Sequence, residues 1–194
     1  LIKNPISRIE VASAGGYLSY ENIADKATVA GVEVEVRKNL FVRPLSSAAN
    51  GMNKLSFGLN GSYIYTNAKM PLATVTTGSQ LEGAAPWIAN FDLSHNFTKG
   101  NHSFINTLVL NYVSDKIYTI GTQGYQDIME QGMMTLDFVS QAKLNKYVSL
   151  TLKARNLLNP SYKLSRKANE SGEKVVLSDY KKGINISLGV SCTF

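Results

Sequence analysis

Two histidines and a scatter of carboxylates and cations are the residues of this chain whose types could do chemistry. His95 falls near the end of one predicted strand and His102 at the start of the next, on either side of the tight turn Lys99-Gly100-Asn101. Histidine-assisted nucleophilic catalysis needs a Ser or Asp at a shared site. Neither histidine lies near the long connections where a substrate would arrive, so both are read as structural. No metal-ligand spacing, phosphate-binding glycine loop or nucleophile elbow occurs. No catalytic, cofactor-binding or metal residue is therefore assigned, no cofactor is expected, and the chain is not expected to be an enzyme. The single Cys192 cannot form an intrachain disulfide and leaves the redox compartment open.

A second group is defined by position. Glu33, Glu35, Arg37, Asp92, Asp137, Lys153 and Arg155 share one parity of alternating segments. They form either a charge network across a sheet face or contacts along a solute path. The stretch 163–182 carries Lys163, Arg166, Lys167, Lys174, Lys181 and Lys182 against Glu170, Glu173 and Asp179. It reads as a solvated loop or as a site for an acidic ligand.

The elements that position these residues are strands. The chain has 194 residues, 18% of them charged, a mean hydropathy of -0.09 and a net charge of +6. No run approaches the ~18 apolar residues of a transmembrane helix. The cations follow turns and loops rather than a stripe, which argues against nucleic acid. Period-two alternation dominates. Ile184, Ile186, Leu188, Val190, Cys192 and Phe194 alternate with Asn185, Ser187, Gly189, Ser191 and Thr193, and similar runs surround Val34, Leu59, Phe91 and Leu150. Eight strands are predicted, at 6–20, 27–38, 54–66, 86–97, 103–114, 132–143, 147–156 and 182–194. The Ala-Ser-Ala-Gly-Gly run at 12–16 suggests a bulge in the first of them. Tight turns at 99–101 and 145–146 alternate with long loops at 67–85, 115–131 and 157–181. The stretch 39–53 is read as a long loop where a short turn is due.

Alternation alone does not say whether the apolar face meets a core or lipid. Two features favour lipid. The polar parity is built of small Gly, Ser, Thr and Asn rather than the Lys and Glu of water-exposed strands. Aromatic pairs also bracket the apolar parity: Phe57 and Tyr65, Trp87 and Phe97, Phe104 and Tyr112. Eight to ten residues at ~45° tilt cover about 19–23 Å, close to the ~25 Å apolar band of a membrane barrel. Strands can cross lipid only in a closed sheet, where each amide finds a partner.

Six short stretches, taken together and in order, resemble the end of TonB-dependent outer-membrane receptors, particularly those of Bacteroidetes-type bacteria. They are Tyr20-Glu21-Asn22-Ile23 with Ala30-Gly31-Val32-Glu33-Val34-Glu35; Pro86-Trp87-Ile88-Ala89-Asn90; Leu136-Asp137; Arg155-Asn156-Leu157-Leu158-Asn159-Pro160-Ser161-Tyr162; and Ile186 through Phe194. The resemblance implies an all-β, antiparallel transmembrane barrel of about twenty-two strands, of which residues 1–194 supply about the last eight. The plug domain and the TonB-contacting segment would lie outside this chain, which opens on Leu1 without a signal peptide. It further implies energy-coupled uptake of a scarce solute, a bacterial outer-membrane location and a periplasmic C-terminus. Expected partners are outer-membrane lipid and lipopolysaccharide, the TonB complex through the plug, the barrel-assembly machinery through Phe194, and a surface lipoprotein. The charged parity would then face a lumen or the plug. Two alternatives stay open: a receptor-like barrel acting as a scaffold in an outer-membrane complex, and a free-standing eight-stranded barrel.

Overall fold

A computed structural model describes residues 1–11, 17–45, 51–68, 80–122, 125–168 and 172–193. All regular structure among them is strand. In chain order these are β1 (Ile2–Lys3), β2 (Ile6–Glu10), β3 (Leu18–Asn22), β4 (Lys26–Leu45), β5 (Gly51–Ala68), β6 (Trp87–Lys99), β7 (His102–Val113), β8 (Lys116–Thr119), β9 (Ile128–Glu130), β10 (Met133–Lys143), β11 (Val148–Arg155), β12 (Ser161–Lys167), β13 (Lys174–Lys181) and β14 (Asn185–Cys192).

Seven long strands and the two-residue β1 make one antiparallel sheet, ordered β1-β4-β5-β6-β7-β10-β11-β14. This is the wall. The predicted strands from 27–38 onward all appear in it. The predicted 6–20 does not: it is a separate hairpin in which β2 pairs with β3 from Ile6–Asn22 to Glu10–Leu18. Residues 12–16 lie outside the described residues, so the expected bulge does too. The stretch 39–53 is also corrected. Pairing of β4 with β5 runs on through Phe41–Leu55 and Arg43–Asn53 to Leu45–Gly51, with one irregularity at Asn39/Phe41. The connection at this end is therefore short, like those at 100–101 and 144–147. Alternation is hidden there because the bulge swaps the parity of β4.

The expected loops 115–131 and 157–181 contain strands as well. β8 and β9 continue β7 and β10 past a bend, and β12 and β13 continue β11 and β14. Together they form a four-stranded sheet, β13-β12-β9-β8. Gly132 permits the first bend, because a Cβ there would stand 2.7 Å from the Val113 carbonyl oxygen. Its amide donates to Asp115 Oδ1 at 2.6 Å.

The small sheet and the β2–β3 hairpin form a cap at the end of the wall opposite the tight turns. They meet at a parallel bridge between Ile9 and Ile120. Ile9, Ile23, Ala24, Ile117 and Ile120 bury one another against Ala27 and Ala68, the projecting ends of β4 and β5. Partly buried Leu81 and Met129 complete this core. The wall itself has two open faces, and Val32, Val34, Leu59, Trp87, Ile186 and Leu188 are all exposed.

Candidate functional site

Strand register decides which side chains share a face, because neighbours alternate sides along each strand. One rung joins Glu35, Asn60, Asn90, Asn111 and Thr135 across β4, β5, β6, β7 and β10. The next joins Arg37, Gly58, Asp92, Val109 and Asp137, and the one below runs Asn39, Ser56, Ser94, Thr107, Val139, Lys153 and Ser187. These rungs make one continuous polar face. Asn60 Nδ2 donates to Glu33 at 2.5 Å and Asn90 Nδ2 to Asn60 Oδ1 at 3.3 Å, while Ser94 and Thr107 hydroxyls are 3.0 Å apart. Arg37 pairs with Glu35. Glycine at 58 leaves room for the Asp92 carboxylate, since a Cβ there would fall 2.3 Å from its Oδ1.

The opposite face is apolar, and its aromatic residues line up across strands. Tyr63 meets Trp87 at 4.6 Å near the cap, and Phe97 meets Phe104 at 6.4 Å near the turns. His95 sits on this face. Its Nε2 lies 2.8 Å from Asn53 Oδ1, and the neighbouring rung partner Asn106 accepts from Ser140 at 2.7 Å. The imidazole is thus held in a small hydrogen-bonded inset without a carboxylate or nucleophile arrangement.

The charged residues singled out from the sequence divide into three. Glu33, Glu35, Arg37 and Asp92 gather on β4–β6. Lys153 stands alone, one rung lower. Asp137 and Arg155 lie at a different place, on β10 and β11, four and five strand spacings or about 19 and 24 Å from β4, where wall turns into cap. Phe194 lies outside the described residues.

That elbow is built by Arg155-Asn156-Leu157-Leu158-Asn159-Pro160-Ser161-Tyr162. Asn156 and Asn159 both take positive φ, 58° and 44°, a conformation that short polar Asn tolerates better than most residues. Asn156 donates its amide to Asp137 Oδ1 at 2.8 Å and its side chain to the Gly183 carbonyl at 2.7 Å. The Gly183 amide returns a bond to Asn159 Oδ1 at 3.0 Å. The two asparagines therefore stitch both crossings from wall to cap to each other.

A cleft of about 380 Å³ opens beside the elbow, lined by Asp137, Arg155, Asn156, Tyr162, Lys182 and Asn185 among others. A smaller one of about 180 Å³ shares Met133, Tyr162 and Lys182 with it. Between them Tyr162 donates to Glu130 Oε2 at 2.9 Å, and Lys116 pairs with Glu130 at 3.2 Å. Burial strips water from the Tyr162 phenol, and the Glu130 hydrogen bond adds to this; together they push its pKa up to about 12. It is a neutral donor at physiological pH. Lys182 Nζ lies 5.3 Å from the centre of the Tyr162 ring. Neither Arg155 nor Lys182 is in an ion pair among the described residues. The cleft thus offers two cations, one carboxylate, amide groups and an aromatic face, which suits a small polar solute. No group of three or more metal-ligating residues occurs among the described residues.

Sequence reasoning missed Asn156, Asn159, Tyr162 and Gly183 as site residues, and placed Lys182 only in the basic stretch 163–182 read as a solvated loop or a site for an acidic ligand. The Asn-x-x-Asn-Pro spacing after a strand was the available signal, because it marks a turn that needs positive φ.

A family model described as TonB dependent receptor-like, beta-barrel, matches residues 2–157. Neither a curated protein nor a solved structure matches the chain. The match takes in every wall strand through β11 and the first stitch of the elbow, so the chain belongs to the TonB-dependent receptor-like β-barrel family, and with it to the outer-membrane receptors and transporters that work with TonB.

Proposed function

We propose that this chain forms the C-terminal stretch of the barrel wall in an energy-coupled transporter of a scarce solute. In this reading the apolar face meets lipid, and the face of Glu33, Glu35, Arg37, Asp92, Asp137, Lys153 and Arg155 meets the lumen or a plug domain. The tight turns and the C-terminus are periplasmic, and the cap stands at the cell surface. Its role is passage rather than catalysis. The observation that carries the reading is the predominant separation of a polar from an apolar face over seven strands, with an aromatic pair on the apolar side at each end.

The wall's edges support a larger barrel than these strands close. β1 covers only Lys26 and Ala27 of β4, and no rung joins β14 to β4 or β1 among the described residues. Unpaired backbone groups in lipid cost several kcal/mol each (about the transfer cost of an unbonded amide). Further strands on both edges remove that cost. Partners expected from the same reading are lipopolysaccharide, the barrel-assembly machinery acting on Phe194, and a surface lipoprotein over the cap.

The test has two arms. In the native polypeptide with Cys192→Ser, Thr107→Cys should label with a water-soluble maleimide and Leu108→Cys should resist it; equal labelling overturns the assignment of faces. For transport, spent media of cells lacking this protein and of cells lacking TonB should retain the same solute, as detected by mass spectrometry. If no shared solute is retained, a scaffold role replaces transport.

A further inference from the structure

The net charge is not spread along the wall. Residues 38–45, 51–57, 93–108, 138–153 and 186–193 make up the turn-end half, and they hold seven of the 20 Lys and Arg but none of the 14 Asp and Glu. The remainder has thirteen cations against all fourteen carboxylates. The whole positive excess therefore sits at one end. The nearest carboxylates above it are Asp92 and Asp137, about 16 Å up the strands from the Phe97–Phe104 rung, at ~3.3 Å per residue.

The placement of the cations is specific. Arg43 shares the rung of Asn53, Phe97 and Phe104, and Lys99 pairs with His102 on the last rung of β6–β7. Lys143 is at the end of β10, and Lys146 lies in the turn before β11. They recur on β4, β6 and β10, two strand spacings or about 10 Å apart. Arg43 and Lys99 have the parity of the apolar face, Arg43 on its lower aromatic rung and Lys99 two residues further toward the turn, whereas Lys143, paired with Ser103, has the polar parity. Arg43 lies 5.7 Å from the Phe41 ring centre, and Lys146 lies 4.7 Å from that of Tyr147. None of the four is in an ion pair among the described residues, whereas the cap pairs Arg8 with Glu82, Lys116 with Glu130, Lys163 with Asp179 and Arg166 with Glu10.

We propose that this rim binds the phosphate headgroups of anionic phospholipids in the leaflet at the turn end. The inference rests on the membrane-spanning reading above. Cations spaced along the wall at and beyond the lower aromatic rung, two of them on its apolar parity, match a layer of headgroups; an acidic protein would need a single patch. Long Lys and Arg stems lie along apolar surface and carry their charge to the interface. An anionic surface favours each nearby cation about fivefold at physiological salt.

The experiment uses the native polypeptide in mild detergent, equilibrated with equal amounts of phosphatidylglycerol and phosphatidylethanolamine, with bound lipids counted by native mass spectrometry. Phosphatidylglycerol should be retained at least tenfold over phosphatidylethanolamine. The preference should shrink toward unity at about 1 M salt, where the Debye length is about 3 Å. It should fall as far in the combined Arg43→Gln, Lys99→Gln, Lys143→Gln and Lys146→Gln variant, and severalfold in Lys99→Gln or Lys146→Gln alone, which keeps the test alive if the combined variant does not assemble. Lys163→Gln with Lys167→Gln in the cap should leave it unchanged. Equal retention of both lipids by native protein that inserts into bilayers overturns the inference alone, as does an equal loss in the cap variant, or binding of polyglutamate in place of lipid. Native protein that does not insert at all overturns the membrane reading beneath it.

Discussion

The wall and the cap are built from the same kind of strand, yet they are held together differently. The cap owns the buried core: Ile120, Ile117, Ile9 and Ile23 are each less than a tenth exposed. It also holds the part-buried ion pairs, with Arg166 and Glu10 side chains 15% and 20% exposed. Among the described residues the wall contributes only Ala27 and Ala68 to that core and has no part-buried ion pair. Its apolar residues point outward, its polar residues bond laterally, and its order comes from backbone ladders. A cap of this kind is stabilised by water, through the hydrophobic effect. The wall's outward apolar face makes sense in a medium that is not water. One chain thus uses two solvents, and the elbow at Asn156–Asn159 is where they meet.

The comparison breaks if a single core position matters to both regions. Ile120→Ala should cost about 2–5 kcal/mol, the usual range for a fully buried aliphatic side chain. Hydrogen exchange should then accelerate in β2 and β8 while β6 and β7 keep their protection. Equal acceleration in both would make wall and cap one cooperative unit. In the wall, Leu108→Arg should cost about 2–4 kcal/mol when folding into lipid vesicles is followed by urea titration, as for cations at the bilayer midplane. Thr107→Arg, one residue away on the polar face, should cost much less.

Smaller changes sharpen the picture. Glu10→Gln leaves Arg166 partly buried without its charge partner, and should weaken the cap by about 1–3 kcal/mol. Proteolysis near β12 would report it. A pH titration isolates Tyr162. Its folded pKa, near 12, is above the ordinary value of about 10. Its contribution is therefore complete below pH ~10 and is lost as pH rises through ~12. Tyr162→Phe should remove that alkaline slope from cap stability and leave the neutral region flat. A slope unchanged in the variant would assign it elsewhere.

What could be read before the structure divides along the same line. Alternation placed seven wall strands and the two faces, since it is a local property of each segment and both faces leave a chemical trace. The β4–β5 turn was obscured by one extra residue near Leu40, which exchanges the faces and erases the period. The cap escaped notice for a different reason. Its strands run from three to eight residues, and although β2–β3, β8–β9 and β12–β13 pair locally, the links that join these pairs are distant in sequence: β12 pairs with β9, Ile9 bridges Ile120, and Glu10 is 156 residues from its ion-pair partner Arg166. β2, β3, β8 and β9, at three to five residues, carry too few alternations to stand out from loop, and the Val175-Val176-Leu177 run of β13 breaks the period.

The sequence by itself therefore determined the two-faced wall and two of its tight turns, because charge and period are written residue by residue. Only the tertiary structure decided that 6–20 is a hairpin, that two expected loops pair into a second sheet, and that Asp137, Arg155, Tyr162 and Lys182 share a cleft. Those facts depend on which distant segments find each other, and that choice was made by burial of Ile9 against Ile120 and by two asparagines able to turn the chain at the elbow.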